Sequence, residues 1–67
     1  MTWVTVNGEE WDGPVDATIA DLVTRWCRSP RGIAVARNGD VVPKSSWHGT
    51  AITAGDRIEI VTAAAGG

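Results

Sequence analysis

Apolar and polar positions alternate from the start of the chain. In Thr2-Trp3-Val4-Thr5-Val6, Val4 and Val6 flank Thr5, and this β-branched and aromatic stretch predicts a strand. Asn7-Gly8 follows, and both residues tolerate the positive φ of a two-residue hairpin turn. Glu9–Trp11 is therefore expected to return as a second strand, and Asp12-Gly13-Pro14 to break it. The period then changes. Ile19, Leu22, Val23 and Trp26 fall at i, i+3, i+4 and i+7, one apolar helical stripe, with Asp21, Thr24, Arg25 and Arg28 on the other side. Thr18-Ile19-Ala20-Asp21 reads as a capping box with Asp in the acidic position, at the positive end of the helix. Pro30 biases the residue before it away from helix, so the helix should end by Ser29.

The second half returns to short strands. Ile33–Ala36 is an apolar run expected to be a central strand covered on both faces. Asn38-Gly39 predicts another hairpin turn, Val41-Val42 resumes the pairing, and Pro43 limits it. Lys44–Thr50 reads as a polar excursion carrying Trp47 and His48. Gly55-Asp56 predicts a turn, and Arg57–Val61 the last strand, with Ile58 and Ile60 on one face. The order is β-β-α-β-β-β. One helix with one apolar stripe needs a sheet to cover it, so the expected class is α+β: one mixed, twisted sheet of about five strands packed on one main helix. Residues 1–67 are expected to form a single domain, with 62–67 as a flexible C-terminal tail.

Size narrows the chemistry. A chain of 67 residues buries only roughly 60% of its unfolded surface, which leaves few layers to line a deep catalytic cavity. Net charge is -2 and the six basic residues are scattered, which argues against a nucleic-acid footprint. The single Cys27 makes no internal disulfide, and with no CxxC and no local His it reads as a half-buried inert thiol near the helix C-terminus. The start of the chain has neither a basic n-region nor an apolar h-region, and no apolar run approaches the roughly 20 residues of a membrane-spanning helix. The expected compartment is the cytoplasm, with no membrane partner. His48 is the one histidine and has no companion ligand, so it reads as a surface-loop residue and no metal is expected. The glycines form no phosphate loop, and the acids are spread over turns and exposed faces. The aromatic set is four Trp without Phe or Tyr. Trp26 belongs to the helical stripe. Trp47 is expected to close one end of the core. Trp3 and Trp11 are expected to share a face of the first hairpin as a cross-strand pair, or, if exposed, to form a partner patch.

The ending carries the most specific physics. The last strand runs into Thr62, Ala63-Ala64-Ala65 and Gly66-Gly67. Glycines without Cβ enter a channel too narrow for other residues, and the alanines add little bulk and no charge. A terminal carboxylate titrates near 3.5, so it is ionised at neutral pH and reacts with a nucleophile only after activation. Such a tail suits threading into another protein's active site. The alternative is a small flexible end.

Val41 to Trp47 (VVPKSSW), Gly55 to Val61 (GDRIEIV) and the final Gly-Gly together resemble the bacterial thiamine-biosynthesis sulfur carrier family, ThiS. The opening strand ending in Asn7, the helix start Thr18-Ile19-Ala20-Asp21-Leu22 and the strand Gly32-Ile33-Ala34-Val35-Ala36-Arg37-Asn38 are similar to that family as well. Lys44 stands where Arg is commoner. The resemblance implies a ubiquitin-like β-grasp fold and a carrier that is a protein cosubstrate, not an enzyme, with no bound cofactor. It implies that an E1-like adenylyltransferase (ThiF type) uses ATP to adenylate Gly67. A cysteine desulfurase or rhodanese-type donor then supplies sulfur, and the Gly67 thiocarboxylate passes it to a thiazole synthase (ThiG type). Gly66, Ala65 and Ala64 would be the threading segment. On the face away from the helix, Arg57, Glu59 and Val61 would be docking residues.

Four other readings stay open at this point. The related MoaD family, the small subunit of molybdopterin synthase, uses the same tail chemistry, as would a carrier for a third sulfur pathway. A β-grasp binding module would dock through its sheet or its Trp residues with an idle tail. A ubiquitin-like modifier would join Gly67 to lysines.

Overall fold

A computed structural model describes residues 2–27 and 31–62. The first hairpin is β1 (Thr2–Val6) and β2 (Glu9–Gly13), followed by helix α1 (Ile19–Trp26). A second hairpin, β3 (Ile33–Arg37) and β4 (Asp40–Val42), leads through a 3-10 turn at Lys44–Gly49 to β5 (Arg57–Thr62). The sheet order is β2-β1-β5-β3-β4. β1 and β5 run parallel and every other neighbouring pair is antiparallel, which makes the sheet mixed. β5, the last of the described strands, thus lies in the middle of the sheet, between two hairpins.

Both hairpins close as their Asn-Gly pairs require. Asn7 and Asn38 sit at φ +51° and +52°, and Gly8 and Gly39 at +86° and +89°. The first turn pairs Val6 with Glu9, and that register determines every partner above it. Trp11 falls opposite Val4, and Trp3 opposite Asp12. Trp3 and Trp11 therefore point to opposite faces, and the expected cross-strand pair does not form, because a strand's side-chain period of two separates an even partner from an odd one. Trp11 turns to the core side and meets Trp26 edge to face, with ring centroids 5.5 Å apart. Trp3 is 49% exposed on the other face. The second strand also outruns the expected break: Asp12 and Gly13 continue it, and Gly13 pairs with Thr2.

Helix α1 is capped as the sequence demands. The Asp21 N–H donates to Thr18 Oγ1, and the Thr18 N–H donates back to an Asp21 carboxylate oxygen. The helix ends at Trp26 with Cys27 as its C-cap, earlier than the Ser29 limit; Arg28 and Ser29 lie outside the described residues. Ile19, Leu22 and Val23 are buried against Val4, Val6, Val35 and Ile58 of the sheet. Trp47 closes the core from the 3-10 turn, 4% exposed, with its indole N–H donating to the Val42 carbonyl at 2.9 Å. The helix start is tied to the loop before β5 by Ile19 N–H to the Thr50 carbonyl and Ile52 N–H to the Ala17 carbonyl.

One expectation for the sheet fails. In β3 only Val35 is fully buried, while Ala34 and Ala36 are half-buried on the opposite side. The strand is central but not covered on both faces. A single helix protects one side of a sheet, and no second layer is present among the described residues.

Candidate functional site

β5 is the last of the described strands and carries the three docking residues expected from the sequence. Side chains alternate along it. Ile58 is fully buried and Ile60 partly so, on the helix side, while Arg57, Glu59 and Val61 emerge together on the open face. Val61 is 58% exposed, large for a valine in the middle of a sheet. Antiparallel pairing sets Val61 beside Ala34 and Glu59 beside Ala36, and Ala36 in turn faces Val41 of β4. These residues line a shallow concavity of about 170 Å³. Glu59 is its charged member, among two alanines and the valines Val35, Val41 and Val61. Arg57 shares the face but sits further down the strand, across from Thr5.

The start of β5 is held by a buried polar node. Asp56 is 6% exposed. One carboxylate oxygen accepts from Arg37 Nε at 2.8 Å and from the Thr53 N–H at 2.7 Å, and the other from Asn38 Nδ2 at 3.0 Å. Asn38 uses its remaining amide atom as well: Oδ1 accepts from the Arg57 N–H at 2.8 Å. Burial by itself raises the Asp56 pKa, but the hydrogen bonds from Asn38, Thr53 and Arg37, with the Arg37 charge, outweigh it and hold the carboxyl below its ordinary value. Asp56 stays ionised and fixes the turn from which β5 departs.

Of the docking residues expected from the sequence, Glu59 and Val61 meet in one concavity, and Arg57 falls outside its lining. Ala64, Ala65, Gly66 and Gly67 lie outside the described residues. His48 is exposed and Cys27 is a partly buried free thiol. Among the described residues, no group of three or more His, Cys, Asp or Glu could hold a metal, and no helix is long and apolar enough to cross a membrane. Sequence reasoning missed Ala34, Ala36 and Val41 as parts of the open face. The signal was there in the large-small alternation Ile33-Ala34-Val35-Ala36, which marks one packed face and one bare one.

A mixed sheet in this order, with one helix across one face and a parallel pair at its centre, defines a ubiquitin-like β-grasp domain. Within that class, the chain belongs to the ThiS family, whose family model matches residues 4–67. The structure is similar to the crystal structure of the thiamine biosynthesis protein ThiS from Geobacter metallireducens. The two share a TM-score of 0.82 at 25% identity, over 98% of this chain and 100% of that one. In sequence, the chain is 38% identical over 64 residues to a thiazole synthase of Paramagnetospirillum magneticum, covering 96% of this chain. It spans 20% of that protein's length.

Proposed function

We propose that the protein is a sulfur carrier for thiamine biosynthesis whose working group is the carboxylate of Gly67. The observation that carries this reading is the extent of the ThiS match, which runs to residue 67 and so includes Gly66-Gly67. A thiamine biosynthesis protein as a structural relative and a thiazole synthase as a sequence relative support the choice of pathway.

The chemistry follows from the carboxylate. A carboxylate oxygen of Gly67 attacks the α-phosphorus of ATP on an E1-like adenylyltransferase, and pyrophosphate leaves. The terminal sulfur of a persulfide, held by a cysteine desulfurase or rhodanese-type protein, then attacks the acyl carbon and AMP leaves. A second thiol cleaves the resulting acyl disulfide and departs as the mixed disulfide, which leaves the Gly67 thiocarboxylate. That sulfur is donated at a thiazole synthase: the acyl C–S bond breaks, an oxygen from the acceptor or from water forms the new acyl C–O bond, and the carboxylate is regenerated for another round. The carrier is a cosubstrate throughout. Ala64, Ala65 and Gly66 thread the partner's channel, and the open face around Glu59 and Val61, with Arg57 beside it, docks on the partner's surface.

Intact-mass spectrometry tests the reading. The purified protein, incubated with the adenylyltransferase, ATP and a persulfide donor, should gain the mass of one oxygen replaced by sulfur. The gain should vanish when Gly67 is deleted. Neither adenylate nor thiocarboxylate, with a demonstrably active enzyme, overturns it. Thiazole formation on adding the thiazole synthase decides the pathway.

A further inference from the structure

β5 is held on its β1 side by a parallel ladder that pairs Thr5 with Arg57 and Val6 with Ile58. The Asn7 N–H extends this ladder to the Ile58 carbonyl at 2.9 Å. There the main chain of β1 turns away, at the positive φ of Asn7. The hydrogen bonding nevertheless goes one step further. Asn7 Oδ1 accepts from the Ile60 N–H at 2.8 Å, and Asn7 Nδ2 donates to the Ile60 carbonyl at 3.1 Å. A primary amide sets a carbonyl acceptor and an N–H donor side by side, the pair that the two peptide groups flanking a strand residue present to the neighbouring strand. The side chain therefore does for Ile60 what another residue of β1 would have done. The turn itself does not require this, since glycine meets the same backbone demand. The two bonds join positions 53 apart in sequence, and they land two residues before Thr62, where β5 ends.

We propose that Asn7 is a positioning residue for the carboxyl-terminal tail. Its amide clamps β5 at Ile60, so the strand reaches its end at Thr62 with one position and one direction. The proposal rests on the reading that the tail is threaded into an activating enzyme. Without the clamp, the end of β5 gains conformational freedom that docking must remove. Once the carboxylate is seated, the chemistry belongs to the partner. Loss of the amide should therefore raise KM for the carrier and leave kcat unchanged.

Asn7→Gly is the informative substitution, because it keeps the turn and removes only the amide. Asn7→Asp keeps the acceptor for the Ile60 N–H and loses the donor to its carbonyl. In the full chain, hydrogen exchange by NMR should show the Ile60 amide of Asn7→Gly exchanging about tenfold faster than in the wild type, with Val35 unchanged and Asn7→Asp intermediate. In ATP–pyrophosphate exchange by the E1-like enzyme, KM for the Asn7→Gly carrier should rise about three- to tenfold at constant kcat. Equal Ile60 protection in both proteins overturns the clamp, and so does acceleration shared equally by Val35, which would mark a global loss. A loosened Ile60 with an unchanged KM overturns the role in presenting the tail. Wild-type protein that supports no exchange with an active enzyme overturns the carrier reading and the presentation role with it, and Ile60 exchange then decides the clamp alone.

Discussion

At Gly13 a single hydrogen atom stands where any other residue would place a β-carbon against an indole. A Cβ there would lie 2.6 Å from two atoms of the Trp11 ring, which is itself lodged on Trp26. Gly13→Ala should cost about 1–3 kcal/mol by overpacking, read from urea unfolding, and should change the near-UV dichroism of the Trp pair. An unchanged midpoint and spectrum would show that the ring moves aside freely. Asp56 is the other decisive residue. Asp56→Asn aims an amide N–H₂ at groups that are themselves donors and should cost about 2–4 kcal/mol at neutral pH. Because the folded-state pKa is depressed from 3.8, the carboxylate's contribution is present in full above the unfolded range. It is lost as pH falls through the folded value. The stability gap between wild type and Asp56→Asn should therefore be widest near neutrality and close as pH drops below about 4. A gap independent of pH, measured by urea unfolding from pH 7 to 2, would remove the charge from the account. Neither role was legible in the sequence, where Gly13 read as a strand breaker and Asp56 as a turn residue. Each depends on a neighbour that only folding supplies.

Among the elements, α1 is the one that local sequence nearly dictates. Its capping box and apolar stripe were both readable, and both are formed. Thr18→Ala removes the hydroxyl that accepts from Asp21 and should destabilise the protein by about 1 kcal/mol, whereas Thr18→Ser should restore most of the loss. Equal unfolding midpoints for Thr18→Ala and wild type would assign helix stability to packing alone. The strands are different. Their existence followed from β-branched residues and Asn-Gly turns, but their partners did not. β5 lies between β1 and β3, remote in sequence, and each hairpin's Asn side chain reaches across to it. Such contacts leave no periodic trace in the chain.

For the whole molecule, the topology leaves an open sheet face next to the end of β5. The face is apolar at Ala34, Ala36, Val41 and Val61, with Glu59 among them. Arg57→Glu, Glu59→Arg and Val61→Asp all fall on exposed positions and should leave the melting temperature within a few degrees of wild type. If this face docks the activating enzyme, Glu59→Arg and Val61→Asp should weaken binding about tenfold or more, and Arg57→Glu less, since it lies outside the concavity. Titration calorimetry with the adenylyltransferase checks this, and unchanged affinity for all three would move the docking surface elsewhere.

What the chain determines by itself is whatever depends on near neighbours: the helix and its cap, the two Asn-Gly hairpins, the succession of strands along the chain, and the small residues of the tail. These follow from dihedral preference and side-chain period, which act over a few positions. Tertiary structure decided which residues share a face, why Trp3 and Trp11 part company, how Asp56 becomes a buried ionised anchor, and that Asn7 reaches Ile60. Each of these rests on the register of strands brought together across many residues, and a one-residue change in register reverses every face.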